Sequence, residues 1–130
     1  MKTVGFLTLY DKTYKGSEDL KTMISAPRAY SNLDKIINYL ESGHYFADPL
    51  VFLDDDEGLP LPDIGYQTDG EWIWPNYFPY YLKKYPNLEI DSDFIKHLND
   101  VNFICSFEPD DDEEEKIEDF FDKNIWGNII

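Results

Sequence analysis

One cysteine, one arginine, two histidines and seven glycines are all that 130 residues contain of these types, and each scarcity removes a class of explanation. A single thiol, Cys105, closes no internal disulfide, so a reducing compartment is expected, with Cys105 a small buried hydrophobe rather than a reactive group. No segment approaches the roughly 18 apolar residues of a membrane-spanning helix, and no leader pattern precedes the short apolar run Val4 to Tyr10. A cytoplasmic location follows as the expectation. The glycines stand singly and build no G-x-G-x-x-G or G-x-x-x-x-G-K phosphate loop, and H-E-x-x-H and C-x-x-C are also missing. Cations are few as well. Eleven Lys and Arg face 27 Asp and Glu, a net charge of −16.

The charge is segregated. Residues 1–50 carry six cations and six carboxylates and are neutral, and residues 75–107 carry three and four. Residues 51–74 carry seven carboxylates and no cation, and residues 108–130 carry ten against two. Such a field repels nucleic acid and anionic membranes and speeds encounter with a basic protein. What the chain has in abundance is aromatic surface, with three Trp, ten Tyr and nine Phe. This is enough to build one core without disulfides, and a single domain over residues 1–130 is expected.

The densest structural signal lies between Thr68 and Tyr85. Asp69-Gly70 predicts a tight type I′ turn between two alternating strands, 64–68 and 71–74, so a β-hairpin is expected. Pro75 ends the ladder, and Pro79 fits only the first turn of the helix that should follow, with Phe78, Tyr81, Leu82 and Tyr85 on its apolar stripe. Elsewhere, strands are predicted over 2–10, 50–53 and 101–107. Helices are predicted after Ser17, after Ser31 (Leu33, Ile36, Ile37 and Leu40 inward) and after Asp91 (Phe94 and Leu98 inward). An acidic loop at about 108–115 should run into a last helix whose Ile117, Phe120, Phe121 and Ile125 dock it. The order predicts an α+β fold: a mainly antiparallel sheet with a central β-hairpin, covered by four to five helices. Its core should include Phe6, Leu33, Ile37, Leu40, Leu82, Phe94 and Phe103.

No nucleophile, base or metal cluster emerges from the spacing. Asp54, Asp55, Asp56 and Glu57 suggest calcium, but Gly65 stands where an EF-hand needs its bidentate glutamate, so no metal or cofactor is expected. His44 and His97 read as structural or surface groups, and a Cys105–His97 pair would need the fold to join them. Binding is the better account. Trp72, Trp74 and Tyr77 are expected at a partner surface beside two acidic segments, Asp54 to Glu57 and Asp110, Asp111, Asp112, Glu113, Glu114 and Glu115.

The D-G-E-W-x-W-P turn, the Y-Y-L-x-x-Y helix and the I-D-x-D-F-I-x-H-L element, together Thr68 to Leu98, resemble small acidic bacterial immunity proteins of polymorphic or contact-dependent toxin systems. The resemblance implies a cytoplasmic protein, not an enzyme, that binds and blocks a cognate toxin. The acidity fits a basic toxin, such as a nuclease. The alternatives are an acidic interaction module or nucleic-acid mimic that binds another basic protein, and then a small enzyme.

Overall fold

The computed structural model describes residues 1–49 and 51–125. Among the described residues four strands form one sheet in the order β1-β4-β3-β2, where β1 is Lys2–Thr3, β2 His44–Ala47, β3 Tyr66–Thr68 and β4 Trp72–Pro75. Two of its pairings are antiparallel and one, β1 with β4, is parallel. Five helices among the described residues surround it: α1 Leu20–Met23, α2 Leu33–Glu41, α3 Tyr77–Lys84, α4 Ser92–Asp100 and α5 Asp111–Asn124. This is the expected α+β architecture. Among the described residues no helix is long and apolar enough to cross a membrane.

The central hairpin forms where Asp69-Gly70 places it, but not by a type I′ turn. Thr68 pairs with Ile73, and only Gly70 has positive φ, at 97°. The Asp69 carboxylate closes the four-residue connection instead, accepting from the N–H groups of Glu71 (3.0 Å) and Trp72 (2.8 Å), as aspartate does in Asx turns. Pro75 is the last residue of β4, and α3 begins two residues later with Pro79 in its first turn.

Both faces of the hairpin are covered. On the face of Trp74 and Gln67, α2 and α4 bring Tyr39 and Phe94 against the tryptophans, and the Trp74 indole N–H donates to the carbonyl of Leu40 at 3.1 Å. On the other, Phe121 of α5 packs on Tyr66 at 4.6 Å between ring centroids, and Phe6 stacks on Tyr66 at 5.9 Å. Phe6, Ile37, Leu40, Leu82 and Phe94 are buried as expected, whereas Leu33 and Phe103 are only partly so.

Three predicted strands are corrected. The first stops after Thr3 because Gly5, at φ 79°, bends the chain under Phe78, whose ring would stand 2.3 Å from a Cβ there. Residues 51–53 join no strand of the sheet, and Leu50 lies outside the described residues. The third, 101–107, fails because α4 closes in a Schellman cap: Phe103 N–H bonds Leu98 C=O, and Asn102 N–H bonds Asn99 C=O, with Asn102 and Phe103 at positive φ. Its alternation is nevertheless real. Val101, Phe103, Cys105 and Phe107 are half-buried while Asn102, Ile104 and Ser106 are exposed, in a segment that lies on the core with no ladder partner among the described residues. Two caps shift slightly: Asp19 rather than Ser17 caps α1, and Asn32 rather than Ser31 precedes α2. Asp91 caps α4 as predicted.

Candidate functional site

The acidic segment after residue 50 is not a free loop but a small hairpin held down by tyrosines. Its arms, 51–55 and 59–64, exchange backbone bonds from Leu61 to Leu53, from Asp55 to Leu59 and from Ile64 to Val51. Pro60 and Pro62 carry no N–H, so this second arm cannot complete a regular ladder. The turn is tied instead by the Asp55 carboxylate, which accepts from Glu57 N–H at 2.8 Å and Leu59 N–H at 2.9 Å. Gly58 supplies the positive φ, at 85°.

Helix α3 is the pedestal. Tyr80 donates to Asp55 at 2.8 Å, Tyr85 donates to Asp56 at 2.5 Å, and the Tyr81 oxygen accepts from Asp56 N–H at 3.0 Å. Tyr10, bonded to Tyr81 at 2.6 Å, donates to the carbonyl of Asp54. The Lys84 ammonium sits among three carboxylates, 2.9 Å from Asp55, 2.8 Å from Asp56 and 2.6 Å from Glu57.

These contacts set the charges. Burial alone would raise Asp55, but the Leu59 N–H, Lys84, the Glu57 N–H and Tyr80 outweigh it and hold the carboxyl well below its ordinary range. Asp56 is lowered likewise: burial opposes, and Lys84 and Tyr85 prevail. Lys84 is raised, since its bonds to Asp56, Glu57 and Asp55 overcome the cost of burial. The bond to Asp56, with burial and the carboxylate's charge, pushes Tyr85 up to about 12.

The expected partner surface must therefore be redrawn. Trp72, Trp74 and Tyr77 are buried and have no face to offer, since the sheet is covered on both sides. Tyr77 is engaged at the core with Asp11. Asp55 is also inside, and Asp56 is committed to Lys84 and Tyr85. Asp54 and Glu57 remain exposed. Beside them the hairpin exposes apolar side chains: Phe52 (74%), Leu59 (57%), Val51 (38%) and Leu53 (38%). Sequence reasoning passed over these four. The signal was there, in apolar residues next to a run of carboxylates and a Leu-Pro-Leu-Pro stretch whose prolines deny them a sheet.

The second acidic segment is helix rather than loop from Asp111 onward. Asp110 is its N-cap, and a capping box closes on Glu113, which accepts from Asp110 N–H while Asp110 accepts from Glu113 N–H at 2.8 Å. Glu114 accepts from His44 Nε2 at 2.8 Å, tying α5 to β2. Asp110, Asp111, Asp112, Glu113 and Glu115 are exposed.

The fold does bring His97 and Cys105 to one cleft of about 230 Å³, lined also by Tyr39, Asp69 and Glu71. Both ring nitrogens of His97 meet carboxylates, Nε2 to Asp69 at 2.8 Å and Nδ1 to Glu71 at 3.2 Å. Tyr39 donates to the same Asp69 oxygen at 2.5 Å. Burial pushes the Cys105 thiol up, and the Asp69 charge adds to it although the Phe107 N–H opposes. That is the reverse of what an activated thiolate requires. The cluster clamps the hairpin turn onto α2 and α4.

Compared with known proteins, the chain matches no family model, no curated protein and no solved structure.

Proposed function

We propose that the chain is an immunity-type binding protein that neutralises a basic toxin, such as a nuclease, by covering its cationic surface. The observation that carries this reading is where the charge of −16 stands. Asp54 and Glu57 project from a hairpin fixed on a tyrosine helix, and the carboxylates of 110–115 project from a capped helix start packed on β2 through Glu114 and His44. Charges held on ordered elements give a partner a defined field without the entropy cost of ordering a loop. The hairpin's exposed apolar residues give such a contact more than charge alone.

The test is kinetic and cellular together. Co-expression with its cognate toxin should rescue growth, and association should approach about 10⁸ M⁻¹s⁻¹ at low salt and slow steeply as salt is added, with dissociation changing less. Replacing Asp110, Asp111, Asp112 and Glu115 by Asn and Gln should slow association and weaken protection. Equal protection by that variant, or a partner that is itself acidic, would overturn the reading.

A further inference from the structure

Resting on the basic-partner reading, we propose that the hairpin of residues 51–64 is the anchor of the contact, and that its partner presents an apolar pocket ringed by Lys or Arg into which Phe52 inserts. Phe52 is the most exposed large apolar side chain among the described residues, and Leu59, Val51 and Leu53 stand on the two arms of the same hairpin. Leu9, also about half exposed at 51%, directly precedes Tyr10, which is bonded to this hairpin at Asp54. Exposed apolar groups gathered on one short element, rimmed by charge, mark an interaction surface rather than chance exposure.

Charge selects the occupant. Residues 51–63 carry five carboxylates and no Lys or Arg, and among the described residues the cation paired with them is Lys84. An anionic membrane or nucleic acid meets repulsion here, and a second copy docking face to face would set like charges against each other. A protein whose apolar pocket is lined with cations satisfies both the Phe52 side chain and its rim of Asp54 and Glu57. The pedestal adds preorganisation. Tyr80 and Tyr81 of α3 and Tyr85 just beyond it, with Tyr10 and Lys84, already hold the hairpin at Asp54, Asp55 and Asp56, so little ordering remains to oppose binding. Aromatic anchors in a desolvated centre dominate protein contacts, and a charged rim contributes mainly to steering.

The ¹⁵N-labelled full-length protein, titrated with two synthetic peptides of equal positive charge, tests this. One alternates Lys and Arg with Leu and Phe, and the other has Ser and Gly at the apolar positions. The first should bind about tenfold more tightly, or better, and shift the amides of 51–59. Phe52→Ser should abolish that preference while leaving the urea midpoint unchanged, because the side chain is mostly in water, and Leu59→Ser should reduce it. Equal, salt-sensitive binding of both peptides would overturn the anchor yet leave the basic-partner reading standing. Binding of neither would overturn both. Shifts of the hairpin amides that depend on protein concentration alone would assign the surface to a second copy and overturn the proposal.

Discussion

Asp11 shows how much rests on single carboxylates in this chain. It is buried, and it accepts from Tyr66 at 2.9 Å and Tyr77 at 2.5 Å, while the Tyr77 oxygen accepts from Leu7 N–H at 2.8 Å. Asp11→Ala would strand two phenol hydroxyls in the core at about 1–3 kcal/mol each, so urea unfolding should show a loss of roughly 2–6 kcal/mol. Burial raises the Asp11 carboxyl above its ordinary 3.8, and the two tyrosine bonds offset this only in part. A raised carboxyl favours the protonated fold: its stabilisation is complete below pH 3.8 and is lost as pH climbs through the folded value. Asp55 and Asp56 act in the opposite sense. Their folded values lie below 3.8, so their contribution is present above that pH and is lost on acidification. Lys84, raised, contributes below its ordinary 10.5 and loses this as pH rises beyond. Melting temperature scanned from about pH 3 to 6 should therefore fall toward acid in the parent. Asp55→Asn should flatten that fall, and Asp11→Asn should remove the opposing component and steepen it. A steeper fall for Asp55→Asn would show that the carboxylate is not held by Lys84 and Tyr80.

At the scale of elements, the central hairpin is a core device. Trp72→Ala and Trp74→Ala should each cost about 3–5 kcal/mol in urea unfolding, and Leu40→Ala about 2–5. Trp74 should be the worse of the two, because Leu40 C=O also loses its indole donor. A tryptophan variant of parental stability with weakened partner binding would restore the surface role first expected of it. The elements themselves were legible where local and tertiary forces agree. The α2 stripe, the α3 start after Pro75 and the Asp91 cap follow from spacing and caps that the core merely confirms. The burial of Trp72 and Trp74 was not legible, because alternation along a strand tells which residues share a face and not whether helices cover both faces. The same limit explains 101–107, where the alternation of half-buried and exposed residues is real but no strand among the described residues pairs with it. In the site, the carboxylates of 54–57 were visible as a run. Their capture by Tyr80, Tyr85 and Lys84 depends on α3 lying beneath the hairpin, a contact between residues about 28 apart in sequence, as from Lys84 to Asp56.

At the scale of the whole molecule, an excess of 16 negative charges acts on the stability of the fold. Self-repulsion opposes the compact state, and salt that binds nowhere should relieve it, so melting temperature should rise as NaCl is added up to a few tenths molar. Helix α5 carries the contrast within itself. At its start Asp111, Asp112 and Glu113 face the positive end of the helix dipole, which offsets their mutual repulsion, whereas Asp122 lies in the last turn, at the negative end, where the dipole adds to it. Asp122→Asn should therefore stabilise the free protein by about 0.3–1 kcal/mol, and the effect should shrink as salt is added. Asp111→Asn with Asp112→Asn should change stability little, and salt should alter that small effect less, because the lost dipole interaction and the relieved repulsion have opposite signs. Charge density held against a stability cost is what the proposed contact with a basic partner would use. If neutralisation at the start of α5 stabilises as much as neutralisation at its end, the dipole argument fails and the acidic helix start is simply overcharged.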